Sequence, residues 1–253
     1  MSKKDAGWWD DFFPAFRPVF SKMSRKATNA QVRAFIRMLG LRPGQKFLDC
    51  PCGIGRIAIP MAGAGIRVTG VDITTGYLEE LARNARRKGL KIDLHHCDMR
   101  RIKFESQFDA AGNLWTSFGY FEKESDNMLV LKRMFRALKP GGKFLLHIIN
   151  RDWIIANFRA NEWYQAGDTR FLEQRGFDYA TSTSTATWTV ISDGRETSHD
   201  TTIRMYSYHE LIAMFKRVGF VDIKGYGSEK EDPVSHRNMY MTVIGTKPDR
   251  KRK

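Results

Sequence analysis

The stretch that decides the fold is residues 46–56, KFLDCPCGIGR, where a short apolar strand ends at Asp49 and runs into a tight turn. Gly53 and Gly55 permit positive φ in this turn and let the backbone approach a ligand closely. The apolar run at residues 57–59 predicts the start of a helix. A strand, a glycine turn and a helix in this order are typical of a site for a mononucleotide-like ligand.

Strand and helix patterns alternate beyond this turn. Short apolar stretches that read as strands end at Asp72, Asp98 and Leu114. Helical patterns cover residues 75–88 and 124–138. Such alternation predicts an α/β fold with a parallel sheet wound on both faces.

The N-terminal region is rich in aromatic residues. Between residues 8 and 20 they recur at helical spacing, but Pro14 and Pro18 predict short helical pieces instead of one helix. Thr28 or Asn29 is the predicted cap of the helix that follows.

The residue pattern of the sequence changes after residue 150. Before it, residues 139–142, KPGG, predict a break between a helix and the next strand. Beyond it, alternating threonine and aromatic residues predict two or three antiparallel strands, with Asp193 and Gly194 in a hairpin turn. The predicted segments are an aromatic N-terminal lid (1–27), a cofactor-binding core (28–150), an antiparallel β insertion (151–207), the last helix and closing strands (208–247) and a basic tail (248–253).

The composition fits one large α/β domain. The chain has 253 residues, of which 42% are hydrophobic and 12% aromatic, and it has no apolar run long enough to cross a bilayer. Its N-terminus lacks a signal-like apolar segment, so we expect a cytoplasmic protein with no membrane partner. Cys50, Cys52 and Cys97 are too few for a disulfide framework and are poorly spaced for zinc, so no metal is predicted.

The strongly basic balance raises the question of a polyanionic partner. A formal net charge of +14 would suit RNA, DNA or an acidic lipid surface. Much of the excess lies at residues 83–91 and 132–139, in positions typical of the solvent faces of helices and loops. Nucleic acid is therefore an open but disfavoured partner.

Two classes of ligand suit the glycine turn. Asp72 can accept hydrogen bonds from ribose hydroxyls in both classes. Asp49 separates them, because its carboxylate would repel a pyrophosphate but attract a cationic sulfonium with an α-amino group. Asp98 and Met99 suit an adenine ring, and residues 113–115 lie at the expected ligand-binding edge. These positions favour S-adenosylmethionine over NAD.

The segments FLDCPCGIGR, VTGVDIT, CDMRRI, FDAAGNLWTSFGYF and LKPGGKFLL follow one another up to residue 146. In their order and spacing the chain resembles the class I S-adenosylmethionine-dependent methyltransferases. The resemblance implies a Rossmann-like, seven-stranded, mostly parallel sheet in the order 3-2-1-4-5-7-6, with the last-numbered strand antiparallel. The TSFGYF segment and the antiparallel insertion look closest to a branch that acts on small molecules.

The resemblance also implies which residues hold each part of the cofactor. The glycine turn surrounds the methionine part, and the ends of the second and third strands hold the ribose and the adenine. The end of the fourth strand lies on the sulfonium side. The implied cofactor-binding residues are Asp49, Cys50, Pro51, Cys52, Gly53, Gly55, Arg56, Asp72, Ile73, Asp98, Met99, Asn113, Leu114 and Trp115.

The predicted reaction is an in-line displacement by an N or O nucleophile of a small molecule, helped by alignment and by exclusion of water. His147 and Tyr120 are the candidate catalytic residues, which would orient the acceptor or act as a base. The insertion is predicted to cover the substrate or to build a homodimer interface. The candidate substrate-binding residues are Trp9, Phe13, Tyr120, Trp163, Trp188 and Tyr206.

Two alternative functions stay open at this point. The basic balance would suit an RNA-directed or other nucleic-acid-directed methyltransferase or binding protein. The residues 113–116, NLWT, stand where enzymes that methylate exocyclic amino groups of bases carry Asn/Asp-Pro-Pro-Tyr, which weakens this alternative. The glycine turn alone would also allow a nicotinamide oxidoreductase.

Overall fold

The computed structural model of the protein describes residues 7–21 and 24–249. Residues 1–6 of the predicted lid and residues 250–253 of the predicted basic tail lie outside the described residues. The helices are α1 (Trp9–Ser21), α2 (Arg25–Leu39), α3 (Ala58–Gly63), α4 (Thr75–Arg87), α5 (Glu124–Ala137), α6 (Arg151–Ala156) and α7 (Tyr208–Val218). The strands are β1 (Lys46–Asp49), β2 (Arg67–Asp72), β3 (Asp93–His96), β4 (Phe108–Asn113), β5 (Leu138–Ile149), β6 (Asn161–Ala166), β7 (Thr169–Asp178), β8 (Thr183–Ser192), β9 (Arg195–Arg204), β10 (Val221–Tyr226) and β11 (Tyr240–Thr246).

The larger of two sheets has seven strands in the order β10-β11-β5-β4-β1-β2-β3. Strands β1 to β5 are parallel, whereas β11 runs antiparallel to both β5 and β10. Counted along the chain within this sheet alone, the order is 3-2-1-4-5-7-6. The predicted mostly parallel α/β fold is therefore confirmed.

Apolar side chains alternate between the two faces of this sheet. Phe47 and Leu145 belong to a core cluster with α2, α3 and α4. Their chain neighbours Leu48 and Leu146 belong to a second cluster with α5 and α7. Successive residues of a strand face opposite sides, so strands with helices on both faces are apolar throughout. This explains why the runs in β1 and β5 are continuous in the sequence.

Helix α1 differs from the prediction, because it continues through Pro14 and Pro18 as one helix. Proline interrupts the backbone hydrogen bonding of a helix, so the continuity must come from packing. Phe12 and Phe16 supply it: both are buried in a cluster shared with the smaller sheet. The prediction of separate helical pieces was wrong for this reason.

The cap of α2 also differs from the prediction. Ser24 caps the helix, and its Oγ accepts a hydrogen bond from the backbone N–H of Ala27 at 3.3 Å. Thr28 and Asn29 therefore lie inside the helix. The Thr28 hydroxyl oxygen instead accepts a hydrogen bond from Arg56 at 3.3 Å, which ties α2 to the glycine turn.

Strand β5 starts earlier than predicted, because residues 139–142 belong to it instead of forming a break. The backbone N–H of Gly141 donates to the carbonyl of Lys247 at 2.9 Å. The N–H of Lys247 donates in turn to the carbonyl of Gly142 at 2.8 Å. Pairing with the chain beyond β11 thus keeps this glycine-containing segment extended.

The smaller sheet is the antiparallel insertion and has four strands, in the order β6-β7-β8-β9, where two or three were predicted. The predicted hairpin at Asp193 and Gly194 is confirmed, with φ of 51° and 70°, as a two-residue turn between β8 and β9 requires. Phe171, Val190 and Ala166 pack from this sheet against α1. One side of this helix therefore packs against the insertion.

Candidate active site

A cleft opens where β1, β2, β3 and β4 end, at the carboxyl edge of the larger sheet. It contains about 1060 Å³ of space between protein atoms, including its open mouth. The strand order reverses between β1 and β4, and open α/β sheets bind ligands at such a point. The predicted cofactor-binding residues line this cleft, except for Gly55 and Asn113.

The two glycines of the turn have different roles. Gly53 has a φ of 52°, and a Cβ built on it would meet open space, so its backbone is accessible from the cleft. Gly55 has a φ of 84°, and a Cβ there would lie 2.5 Å from Cγ of Leu81 in α4. Gly53 thus leaves room for a ligand, whereas Gly55 allows the turn to pack against α4.

Asp72 is held rigidly at the end of β2. Its Oδ2 accepts a hydrogen bond from the backbone N–H of Gly53, and its Oδ1 accepts one from that of Thr74, both at 2.8 Å. Burial raises the pKa of this carboxyl, and the two N–H donors oppose that shift. Each oxygen keeps lone pairs for a further donor, so Asp72 can receive the two hydroxyls of a diol.

Asp49 and Arg56 bring a buried carboxyl group and a buried guanidinium to the cleft. Asp49 is 2% exposed, and burial raises the pKa of its carboxyl to about 8 although Arg56 opposes the shift. Burial also lowers the pKa of Arg56 to about 10. The choice between the two ligand classes was predicted from Asp49 alone, and in the structure the guanidinium of Arg56 lies near enough to oppose the rise in its pKa.

Arg56 belongs to a network that the sequence did not reveal. Its Nη2 donates to Oε1 of Gln31 at 2.9 Å, and the indole N–H of Trp115 donates to the same oxygen at 3.0 Å. The guanidinium lies 3.9 Å from the ring centroid of Trp115. Gln31 in α2 therefore positions two residues of the cleft, Arg56 and Trp115. The sequence indicated only that Gln31 lies in an amphipathic helix, one face of which is buried.

Asp98 lines the cleft with its carboxylate already paired. Nη2 of Arg100 lies 2.6 Å from Oδ2 of Asp98, and Nη1 of Arg100 lies 3.1 Å from Asp126. An adenine amino group would therefore share Asp98 with Arg100. The pairing of Asp98 with Arg100 was not predicted from the sequence, although Arg100 follows Asp98 by only two residues.

Asn113 lies outside the lining of the cleft and holds together the strand ends that form it. Its Nδ2 donates to the carbonyl of Cys50 at 3.1 Å and to that of Ser117 at 3.2 Å, which fastens the end of β4 to the end of β1. Trp115 and Thr116 follow with φ of 59° and 58°, a left-handed conformation that non-glycine residues rarely adopt. Such strain is typical of functional sites, and here it turns Trp115 into the cleft.

His147 does not line the cleft, which does not fit its predicted catalytic role. It is 3% exposed, and its ring centroid lies 5.0 Å from that of Tyr240 and 5.5 Å from that of Phe35. Trp115 lies beside it, with ring centroids 6.4 Å apart. Burial lowers the pKa of His147 to about 3, so the imidazole is neutral and packed in the core.

Helix α1 contributes aromatic side chains to the lining of the cleft. Trp9 and Phe13 line the cleft from this helix. The Tyr77 hydroxyl donates to the backbone carbonyl of Phe13, and thereby fastens α1 to α4. Tyr120, a predicted acceptor residue, also lines the cleft.

The other three predicted substrate residues lie outside the cleft. Trp163 is 71% exposed on the edge strand of the smaller sheet. Trp188 packs against Phe16 of α1, with ring centroids 4.8 Å apart. Tyr206 is 1% exposed, and its hydroxyl donates to Glu124 at 2.8 Å. Trp188 and Tyr206 therefore serve packing, which the sequence pattern could not distinguish from ligand contact.

Among residues 7–21 and 24–249, no three His, Cys, Asp or Glu side chains are grouped so that they could hold a metal ion. Over the same ranges, no helix combines the length and the apolar character that a membrane span requires.

Known proteins resemble the region around the cleft. Residues 47–142 match the family model of the methyltransferase domain. The chain is 31% identical over 140 residues to the putative methyltransferase YqeM of Bacillus subtilis, covering 54% of this chain and 55% of that protein. It is 28% identical over 158 residues to a ubiquinone biosynthesis O-methyltransferase of Bradyrhizobium diazoefficiens, covering 60% and 61%. The chain spans about half the length of the curated relatives that it matches.

Solved structures share the fold over nearly the whole chain. The CcbJ methyltransferase from Streptomyces caelestis has a TM-score of 0.79 at 16% identity, covering 96% of this chain and 98% of that one. A S-adenosylmethionine-dependent methyltransferase from Clostridium acetobutylicum has a TM-score of 0.78 at 16% identity, covering 93% and 96%. At such identities the likeness concerns the fold alone.

The sheet order and the glycine-turn cleft define a Rossmann-like α/β protein. Within that class, residues 47–142 are similar to the methyltransferase domain.

Proposed function

We propose that this protein transfers the methyl group of S-adenosylmethionine to an N or O nucleophile of a small molecule. The observation that carries the proposal is the convergence of Asp49, Asp72 and Asp98 on one cleft beside the glycine turn. These residues follow the first three strands along the chain, and the fold brings them together. The family match over residues 47–142 supports the same reaction.

The residues of the cleft suit this cofactor part by part. The open backbone at Gly53 leaves room for the methionine part, and Asp49 and Arg56 offer one charge of each sign to its ammonium and carboxylate. Asp72 has lone pairs for the ribose hydroxyls. Met99 offers apolar, polarisable surface to the adenine.

When bound, the cofactor supplies a methyl group on a cationic sulfur, which a nucleophile can displace in line. The chain contributes alignment and exclusion of water, effects that reach ~7–11 kcal/mol in well-oriented reactions. Trp9 and Phe13 cover the cleft, and Tyr120 borders the same space. Burial raises the pKa of Tyr120, so its hydroxyl suits donating to an acceptor more than removing a proton. His147 takes no part in this mechanism, because it lies outside the cleft.

A nucleic-acid-directed function is the second candidate, and the net charge of +14 favours it. The charged side chains that line the cleft are Asp49, Asp72, Asp98 and Arg56, so the net charge of +14 arises from residues elsewhere in the chain. Salt-sensitive RNA binding without binding of S-adenosylhomocysteine would support this candidate.

Two further properties, the cellular location and the oligomeric state, stay predictions. One of them is the cytoplasmic location. A homodimer through the insertion would use its outer face, where Trp163 stands directly opposite Leu172 and both are exposed. Light scattering would test the oligomeric state.

Thermal unfolding with matched ligands tests the cofactor class. At 100 times its Kd, S-adenosylhomocysteine should add about 2.7 kcal/mol to the free energy of unfolding. For a chain of this size that corresponds to a rise in Tm of about 5–10 °C. NAD at the same concentration should produce no rise. Protection by NAD and not by S-adenosylhomocysteine would show that the protein binds a nicotinamide cofactor instead.

A further inference from the structure

A second opening lies at the other edge of the larger sheet, where β1, β2 and β3 begin. It contains about 1910 Å³ of space between protein atoms, including its open mouth. One acidic residue lines it, Asp93, against four cationic ones, Lys46, Arg67, Arg86 and Lys91. We call this opening the basic groove. The cleft has the opposite balance, with three carboxyl groups against one guanidinium.

The protein does not neutralise the four cations of the basic groove. Their side chains form no ion pair within residues 7–21 and 24–249. Asp93 instead has its carboxylate 2.9 Å from Nε2 of His95. Lys46 and Arg67 are register partners on the paired strands β1 and β2, so their Cα atoms lie ~5 Å apart. Like charges so close repel each other, and a bound anion would remove that cost.

The helix dipole explains one of these cations at most. Arg86 lies in the last turn of α4, where a positive charge is favourable. Lys46 and Arg67 begin strands, and Lys91 precedes one, so that explanation does not apply to them. A ligand for the groove accounts for all four.

The two basic segments of the sequence differ in how far acids balance them. Two cations of residues 132–139 form ion pairs with acidic side chains, one of them at 2.7 Å. Within residues 83–91, which the structure describes in full, only Arg83 forms an ion pair, with Glu79 at 3.9 Å. This segment supplies Arg86 and Lys91 to the basic groove. Its charge is therefore available to a partner.

We infer that the basic groove binds the phosphate backbone of a single-stranded nucleic acid. A positively charged groove that follows the backbone is a common means of binding single strands without reading their sequence. Phe104 and Phe108 line the groove but pack edge-on against each other, with ring centroids 5.1 Å apart, and Phe108 is buried. The contacts are therefore to phosphates, with little preference among bases.

The bound strand is a partner of the protein and not its methyl acceptor, so this inference goes beyond the proposed function. Strands β1 and β2, of four and six residues, separate the basic groove from the cleft by ~13–20 Å. The carboxyl groups that line the cleft do not suit a polyanion. A small-molecule acceptor in the cleft and a nucleic acid in the groove are therefore compatible.

Fluorescence anisotropy with a labelled oligouridylate of about 16 nucleotides tests the inference. The logarithm of the association constant should fall with the logarithm of the salt concentration at a slope of about −2.8, or about 0.7 for each of the four cations. A duplex of the same length should bind more weakly, and polyglutamate of the same total charge should compete less well than unlabelled oligouridylate. Equal binding of the duplex, or equal competition by polyglutamate, would overturn the assignment to a single strand.

Two double variants test the place of binding. Arg67→Ala with Arg86→Ala removes two exposed cations of the basic groove, and should weaken binding and reduce the salt slope by about 1.4. Arg170→Ala with Arg195→Ala removes the same charge from exposed positions on the insertion, and should leave the slope unchanged. Equal losses in both double variants would show that net charge, and not the groove, attracts the strand.

Calorimetry with S-adenosylhomocysteine separates this inference from the proposed function. Both double variants should bind S-adenosylhomocysteine as the wild type does, and oligouridylate should not change its Kd. If the wild type binds S-adenosylhomocysteine but not oligouridylate, only the inference about the groove is overturned. Competition between the two ligands, or transfer of a labelled methyl group to the oligouridylate, would also overturn it, because the strand would then lie in the cleft.

Discussion

Buried charges of both signs dominate the cleft at the scale of single residues. Asp49 has a pKa raised to about 8, and Arg56 has one lowered to about 10, both chiefly because burial removes hydration. Ionisable groups that are poorly solvated in the free protein are stabilised in their charged form when a ligand of complementary charge binds. Residues whose pKa values are shifted by burial in this way favour ligand binding at the expense of the free energy of unfolding.

Asp49→Asn should therefore stabilise the ligand-free protein at pH 7. The folded-state pKa of about 8 exceeds the unfolded value of about 3.9, so the folded protein binds the proton more tightly and loses stability as pH rises between these values. The neutral amide removes this loss. Urea unfolding should show a gain of at least about 1 kcal/mol at pH 7 and little change at pH 4. Equal effects at both pH values would contradict the raised pKa.

Helix α1 links the cleft to the insertion at the scale of elements. Its Phe12 and Phe16 pack against the smaller sheet, while Trp9 and Phe13 face the cleft. Arg17 and Glu80 join α1 to α4 at 2.7 Å, but that ion pair is partly exposed and contributes little. The bond from Tyr77 to the Phe13 carbonyl is more enclosed. Opening of the cleft would require this bond to break.

Tyr77→Phe should loosen α1 without disturbing the sheet. The loss of one hydrogen bond costs about 1 kcal/mol, so cleavage within α1 during limited proteolysis should be about fivefold faster. S-adenosylhomocysteine should slow cleavage of both proteins. Tyr179→Phe, on the exposed face of the insertion, serves as the control. An unchanged cleavage rate in Tyr77→Phe would show that this bond does not hold the helix.

The whole molecule shows which features a sequence can reveal. Strand ends such as Asp72 and Asp98 could be placed in one cleft because parallel strands deliver their carboxyl ends to the same edge. The hairpin at Asp193 and Gly194 was predictable because its turn chemistry is local. The alternation of strand and helix patterns likewise indicated that helices cover both faces of the sheet.

Contacts between residues that are far apart along the chain could not be predicted from the sequence. Gln31 meets Trp115 across 84 residues, and no local pattern encodes that pairing. His147 reads as a strand residue, but only its packing against Tyr240 and Phe35 shows that it lies outside the cleft. Helix α1 persists through its prolines because tertiary packing outweighs a local preference.

The central claim is that S-adenosylmethionine binds at the carboxyl edge of the sheet and that Asp72 holds it there. Calorimetric titration with S-adenosylhomocysteine tests this most directly, using the wild type, Asp72→Ala and Asp168→Ala, an exposed acid in the insertion, as the matched control. We predict binding by the wild type and the control, and a Kd about 10- to 100-fold higher for Asp72→Ala, as expected for lost hydrogen bonds to a charged group. No binding by the wild type, or undiminished binding by Asp72→Ala, would contradict the claim.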